Sequence, residues 1–229
     1  MYYMGDLLST VLVIASLLIT SLASLYINSN YKKYKKVATK CKLTGYDVAR
    51  KVLDANGLND VLVLETQGEL TDHYDPSNKT VKLSTDIYHN TSIASVAVAS
   101  HECGHAIQDK EGYKFLRIRH SIVPIANISS KLGYVAIVLG LLLSFSKLIW
   151  IGVAAEIVIL IFQLVTLPVE FNASSRALKN IEKLGLVDKD ELTGSKKMLT
   201  SAALTYVAGV LSSIVQVLRV VLMATNRDR

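Results

Sequence analysis

The sequence predicts an α-helical multi-pass membrane protein that contains a small α+β segment with a short antiparallel sheet. Three observations support this class. The 229-residue chain is 51% hydrophobic and only 19% charged, and its mean hydropathy of +0.35 is too high for an ordinary soluble domain. Four apolar runs, each about 20 residues or longer, could cross a bilayer core as helices. Between the first two runs lies a polar stretch with short pieces typical of strands.

The first apolar run, Leu7 to Ile27, contains no charged residue and predicts a transmembrane anchor over residues 1–27. The alternative is a cleaved signal peptide, since Ser21-Leu22-Ala23 resembles a cleavage site. However, no Lys or Arg precedes the run, and the positive charges follow it instead. By the positive-inside rule, we expect residue 28 onward to lie in the cytoplasm. The lysines that follow the run are Lys32, Lys33, Lys35, Lys36, Lys40 and Lys42.

Residues 28–120 are predicted to form a cytoplasmic segment. A helix is expected from Thr44 to Asn56, with Thr44 as its N-cap and Gly57 at its end. Three strands should follow and form a small antiparallel sheet, and the last strand is a candidate edge for pairing with an extended substrate. A further helix should end near Gly112. The predicted strands are Val61 to Glu65, Glu69 to Tyr74 and Thr80 to Ser84.

The next two apolar runs, Ile122 to Phe145 and Leu148 to Val169, are separated only by Ser146-Lys147. So short a connection predicts a tight transmembrane hairpin, which we assign to residues 121–170, with its tip outside the cell.

Two segments complete the chain. Residues 171–203 are polar and are expected to form a cytoplasmic helical segment. Residues 204–229 contain a fourth apolar run, Leu204 to Ala224, which includes Gln216 and Arg219. This run is therefore predicted to be either a fourth transmembrane helix or a helix at the membrane surface.

The most informative motif is HExxH, formed by His101-Glu102-Cys103-Gly104-His105. On a helix, residues four apart share a face, so His101 and His105 could bind one zinc ion while Glu102 reaches a zinc-bound water. Average residue usage gives this pattern by chance in roughly one chain per hundred of this length. Cys103 would lie on the opposite face and is expected to be a buried small residue.

A catalytic zinc requires a third protein ligand. The pattern HExxHxxGxxH is excluded, because Gln108 and Glu111 stand where it needs Gly and His. A carboxylate from a later helix is the alternative, as in the Glu-zincin class. We prefer Glu170, because the third apolar run should reach the cytoplasmic surface there, where the HExxH helix should lie. Glu156 lies inside that run, and Glu182 and Glu191 are expected to be solvated.

Four further residues are candidates for supporting roles. Asn172 and Arg176 could orient the Glu170 carboxylate or the histidines. His73, Tyr74 and Arg176 are candidates for stabilising the oxyanion of the reaction or for contacting substrate. For His73 and Tyr74, a purely structural role at a strand end is the alternative. His89 and His120 are expected at the protein surface or the membrane interface.

Three segments together resemble the YugP-type neutral zinc metallopeptidases, which are small bacterial multi-pass membrane proteins, and the resemblance spans nearly the whole chain. It implies one zinc ion held by His101, His105 and Glu170, with Glu102 catalytic, and a location in the bacterial inner or plasma membrane. Members of that family usually have Asp where this chain has Asn172. A more distant likeness extends to the HtpX-like and CAAX-prenyl endopeptidases. The three segments are TDHYDPSNKTVKLS (71–84), VAVASHECGHAIQ (96–108) and LPVEFNASSRAL (167–178).

The sequence therefore predicts a zincin-like, zinc-dependent endopeptidase that hydrolyses peptide bonds at the cytoplasmic membrane face, with a Glu-activated water as nucleophile. Protein or peptide substrates and the lipid bilayer are its expected partners. Nucleic acid is not expected, because no basic stripe with interleaved aromatics is present. One alternative is an intramembrane protease, but the apolar run before His101 is only about ten residues long. The other is a non-enzymatic membrane scaffold or chaperone-like protein with a structural zinc, which would not need Glu102.

Overall fold

The computed structural model describes residues 2–227 and the side chains of residues 7–226. The fold is mostly helical, with one small sheet. Its elements in chain order are α1 (Tyr2–Tyr34), α2 (Gly45–Ala55), β1 (Leu62–Thr66), β2 (His73–Asp75), β3 (Thr80–Ser84), α3 (Thr85–His89), α4 (Ile93–Lys110), α5 (Lys114–Leu142), α6 (Ser146–Lys183) and α7 (Lys189–Arg227).

The four predicted apolar runs all lie in long helices. Within the described residues, four helices are long and apolar enough to cross a membrane: Leu7–Tyr34, Lys114–Leu142, Ser146–Lys183 and Lys189–Asn226. The last three extend well beyond the apolar runs into polar sequence, because Lys, Arg and Glu are also good helix formers. Length and composition thus indicate a multi-pass membrane protein.

The chain divides into two compact units, and the first contains the apolar parts of the long helices. Here α5 and α6 pack closely through small residues. A Cβ atom at Gly133 would lie 2.6 Å from Cβ of Ala155, and one at Gly152 would lie 2.3 Å from Cγ1 of Ile137. Small residues allow such close approach between helix backbones in a bilayer, where apolar surface alone gives little drive to associate.

The second unit comprises Leu25–Leu116 and Val169–Leu204. Its core is built on α2 and α4. The helix predicted from Thr44 to Asn56 is confirmed as α2. The Thr44 hydroxyl accepts a hydrogen bond from the Asp47 amide, and the Asp47 carboxylate accepts one from the Thr44 amide. Gly57 follows the helix with φ of +65°. The inner face of α2 is fully buried; its residues are Val48, Ala49, Val52 and Leu53.

The sheet differs from the expectation. Its strand order is β1-β3-β2; β2 pairs with β3 antiparallel, but β1 pairs with β3 in parallel. The prediction of an antiparallel sheet was therefore wrong for β1. The prediction that Thr80–Ser84 is a sheet edge was also wrong, because this strand is central. Four of its five residues are buried, as suits a strand paired on both sides.

The second strand is shorter than predicted, since β2 begins at His73 and not at Glu69. The Asp72 side chain explains why β2 does not begin earlier in the chain. Its Oδ1 atom accepts a hydrogen bond from the backbone N–H of Ser84, at 2.7 Å, where a ladder bond would otherwise continue. As a result β2 is a short edge strand, and it packs beside α4.

Candidate metal centre

The helix that contains the HExxH motif, α4, is fixed at its start and buried along most of its length. The Ser92 side chain accepts a hydrogen bond from the Ser95 amide and so caps the helix. Cys103 is fully buried, as expected, on the side that faces α2, with its thiol 3.5 Å from the carbonyl oxygen of Ala49. On the other side, the rings of His101 and His105 lie with their centroids 4.8 Å apart.

Glu170, on α6, meets these two histidines. Its Oε2 atom lies 3.2 Å from Nε2 of His101 and 3.6 Å from Nε2 of His105, and its side chain is only 2% exposed. The three candidate ligand atoms all lie within 4.8 Å of one another. Among the described residues this is the cluster that could hold a metal ion.

A glycine in the motif allows α4 and α6 to approach closely enough for this geometry. A Cβ atom at Gly104 would lie 2.6 Å from the carbonyl oxygen of Ala173, three residues after Glu170. The two unspecified positions of HExxH therefore have separate roles here, since Cys103 faces the core and Gly104 faces α6. Sequence reasoning did not identify this role of Gly104.

The other carboxylates considered as third ligands do not belong to this cluster. Glu156 is hydrogen-bonded to Gln216 within the first unit, and Glu182 is exposed. The expectation that Glu191 is solvated was wrong. Its side chain is buried, and its two oxygens accept hydrogen bonds from the amides of Lys40 and Asp188, because the first turn of α7 must be capped.

The donor set fits zinc. Two imidazoles and one carboxylate are three of the ligand types that catalytic zinc sites use, and they leave a position for water. Both Nε2 atoms face Glu170, while the opposite ring nitrogens are engaged: Nδ1 of His105 lies 3.0 Å from Gln108 Oε1, and Nδ1 of His101 lies 3.2 Å from Ser174 Oγ. Such outer contacts orient histidines for binding metal through Nε2.

Glu102 is buried beside this cluster, with 8% of its surface exposed. Burial raises the pKa of its carboxyl to about 7; the neighbouring His101 lowers the pKa, and the negative charge of Glu170 raises it. The backbone amide of Tyr74, in β2, also lowers the pKa of this carboxyl. The edge strand thus lies beside the candidate general base.

The side chains of His73 and Tyr74 contact other groups. The Tyr74 hydroxyl donates to Oδ2 of Asp109 at 2.9 Å, and Nδ1 of His73 lies 2.8 Å from the carbonyl oxygen of Thr71. Within this strand, the contact with the candidate centre comes from the backbone of Tyr74. His89 is exposed, as expected, and its Nε2 lies 3.2 Å from Glu65 Oε2.

Comparison with known proteins agrees with this chemistry. Residues 9–225 match the model of a family described as "Putative neutral zinc metallopeptidase". The chain belongs to this family. The resemblance predicted from three sequence segments is thereby confirmed. A relative in Bacillus subtilis (strain 168), named "Putative membrane protease YugP", is 44% identical over 215 residues, which cover 94% of this chain and 96% of the relative. No solved structure matches the chain.

In this metallopeptidase family member, Asn172 contacts Gln108 and Arg176 contacts Glu111, and these are the two residues that were predicted to orient the centre. The guanidinium of Arg176 donates to Asn172 Oδ1 at 2.7 Å and forms an ion pair with Glu111 at 2.7 Å. Asn172 Oδ1 also accepts a hydrogen bond from Nε2 of Gln108, which contacts His105.

Sequence reasoning missed Gln108, which it treated only as a missing glycine. One signal was available: Gln108 is three residues after His105, so both lie on the same face of α4.

Proposed function

We propose that the protein is a membrane-embedded, zinc-dependent endopeptidase that hydrolyses peptide bonds at the cytoplasmic face of the plasma membrane. The observation that supports this most directly is the meeting of His101, His105 and Glu170, with the Glu102 carboxyl buried beside them. Membership of a family described as zinc metallopeptidases, and four helices long and apolar enough to cross a bilayer, support the chemistry and the membrane location.

The roles of the residues follow from their positions. His101, His105 and Glu170 would bind the zinc ion. Zinc would act as a Lewis acid towards a water molecule and the scissile carbonyl. Glu102 would take the proton from the attacking water and then deliver it to the leaving amine. The backbone amide of Tyr74, which lowers the pKa of Glu102, would help to orient this carboxylate for both transfers.

An extended peptide is the substrate form that suits this site. β2 pairs with β3 along one side only, and the backbone amide of Tyr74 lies near enough to Glu102 to lower the pKa of its carboxyl. The outer edge of β2 therefore faces the candidate general base. A substrate strand that pairs with this edge would present its backbone carbonyls next to Glu102. This role replaces the one that the sequence suggested for the central strand.

The proposed placement in the membrane follows the charge distribution. Residues 1–27 would be the anchor and 121–170 the transmembrane hairpin, with residues 28–120 and 171–203 in the cytoplasm and 204–229 as the fourth membrane helix. The alternative of an intramembrane protease has less support, because α4 is not among the described helices that are apolar enough to span.

The decisive experiment compares the wild type with Glu102→Gln. The purified full-length protein should contain about one zinc ion per chain, as three protein ligands imply. Glu102→Gln should retain the zinc and abolish the proteolysis, which is measured as the loss of new peptide termini from membrane proteins in cells that express the variant. Cleavage that persists in Glu102→Gln would refute the mechanism. A zinc-loaded wild type with no Glu102-dependent cleavage would favour the non-enzymatic scaffold.

A further inference from the structure

A completely buried glutamine connects the candidate metal centre with two acceptors on α6. Gln108 is 0% exposed. Its Nε2 atom donates to the carbonyl oxygen of Val169 at 2.8 Å and to Oδ1 of Asn172 at 3.0 Å, and its Oε1 atom lies 3.0 Å from Nδ1 of His105. All three contacts lie within the second unit of the chain.

The orientation of this amide group follows from its neighbours. A backbone carbonyl only accepts hydrogen bonds, so the atom of Gln108 that faces Val169 must be the nitrogen. The orientation of the Asn172 amide is fixed in the same way. The guanidinium of Arg176 only donates, so the Asn172 atom that faces it must be the oxygen, and this oxygen also faces Gln108. The oxygen of Gln108 must therefore face His105.

This orientation determines the protonation pattern of His105. A glutamine oxygen only accepts hydrogen bonds, so Nδ1 of His105 must hold a proton and donate it. An imidazole that binds a metal through Nε2 must hold its proton on Nδ1, and Nε2 is the atom of His105 that faces Glu170.

We propose that Gln108 is a positioning residue for His105: it fixes the imidazole proton on Nδ1 and so keeps Nε2 available to a metal. Val169 and Asn172 supply the two acceptors that hold Gln108, and Arg176 in turn donates a hydrogen bond to Asn172. The consequence for metal binding rests on the proposed zinc site, but the tautomer is a property of the metal-free protein.

His101 provides an internal comparison. Its Nδ1 atom lies 3.2 Å from the hydroxyl of Ser174, which can either donate or accept. That contact orients the ring without fixing its tautomer, while Nε2 of the same ring lies 3.2 Å from the Glu170 carboxylate, which only accepts. Ser174→Ala therefore serves as a matched control, since it removes one hydrogen bond to a candidate ligand and leaves the Gln108 contacts intact.

The test uses the full-length protein in detergent with ¹⁵N-labelled histidine. The chain has five histidines, so the ring signals are few and His105→Gln identifies the one of interest. In metal-free protein we expect Nδ1 of His105 to hold a proton, seen as a direct ¹H–¹⁵N coupling at that nitrogen. Gln108→Met, which keeps the length of the side chain but accepts no hydrogen bond from His105, should give a mixture of tautomers.

Zinc affinity, measured by competition with a chelator, is the second readout. Gln108→Met should weaken it about ten- to a hundred-fold, and Ser174→Ala less.

The acceptor on Asn172 is tested separately. Asn172→Asp retains an acceptor and should match the wild type, whereas Asn172→Leu should weaken the zinc affinity. Thermal unfolding shows whether each variant is folded. The inference is overturned if Gln108→Met keeps the wild-type tautomer, or if Asn172→Asp and Asn172→Leu behave alike. A wild type that binds no zinc would instead refute the proposed function, while the tautomer could still be read.

Discussion

Gly104 shows how a single missing side chain positions a ligand. Glu170 and Ala173 lie on consecutive turns of α6, so the distance between α4 and α6 at Gly104 also sets the distance between Glu170 and the two histidines. Only a residue without a Cβ atom permits this distance, because the space is already filled by the backbone of Ala173.

We therefore expect Gly104→Ala to push α4 and α6 apart and to weaken zinc binding more than tenfold, with a loss of about 1–3 kcal/mol in the free energy of unfolding, as is usual for overpacking. Chelator competition and thermal unfolding measure the two effects. Gly185→Ala is the control: Gly185 has φ of +59°, and no atom lies within 4 Å of the position that its Cβ would take. This variant should lower stability through backbone strain and leave zinc affinity unchanged. Equal zinc affinity in Gly104→Ala and the wild type would contradict this account.

Glu170 supports a second prediction at the residue scale. A metal that binds only the folded state stabilises it, by about 4 kcal/mol when its concentration is 1,000 times the dissociation constant. Chelation should therefore lower the melting temperature of the wild type but not that of Glu170→Ala, which should already lack zinc. The exposed Glu182→Ala should respond to chelator as the wild type does. A zinc-dependent shift that survives in Glu170→Ala would place the third ligand elsewhere.

At the scale of elements, the long helices, α2 and α4 were predictable, whereas the short helix α3 and the sheet order were not. Apolar runs, the Thr44 cap and the HExxH spacing are local signals, and each corresponds to a helix in the structure. The parallel pairing of β1 with β3 depends on contacts between distant residues, and its strands are only five residues long. The closeness of Glu170 could be expected, because the third apolar run ends there. The close approach at Gly104 depends on the packing of α4 on α6, and the i+3 spacing of Gln108 from His105 was the only signal for its role.

The edge strand β2 yields a prediction about Tyr74. Because its hydroxyl is engaged with Asp109, we expect Tyr74→Phe to cost about 1 kcal/mol of stability and to change the rate of peptide cleavage only a few-fold. A side chain that stabilises the oxyanion would instead cost at least a hundred-fold in kcat. Asp109→Ala should match Tyr74→Phe in both measurements, since it removes the acceptor of the same hydrogen bond. A hundred-fold loss confined to Tyr74→Phe would restore the catalytic role.

At the scale of the whole molecule, the distribution of charge predicts on which side of the membrane the proposed site lies. The residues around the HExxH helix follow a lysine-rich stretch, and the hairpin between α5 and α6 has only Lys147 at its tip. By the positive-inside rule, the end of a membrane helix that is followed by a lysine-rich segment lies in the cytoplasm. The tip of the hairpin should therefore lie outside the cell.

Labelling with a membrane-impermeant maleimide tests this arrangement. Cys41 is exposed, so it is first replaced in Cys41→Ser, whereas the buried Cys103 should stay unreactive in the folded protein. In this background Lys147→Cys should be labelled in intact cells, and Lys36→Cys only after the membrane is permeabilised. α5 then separates the two positions. Labelling of both in intact cells, or of neither, would mean that α5 does not cross the bilayer, and the proposed cytoplasmic site would lose its support.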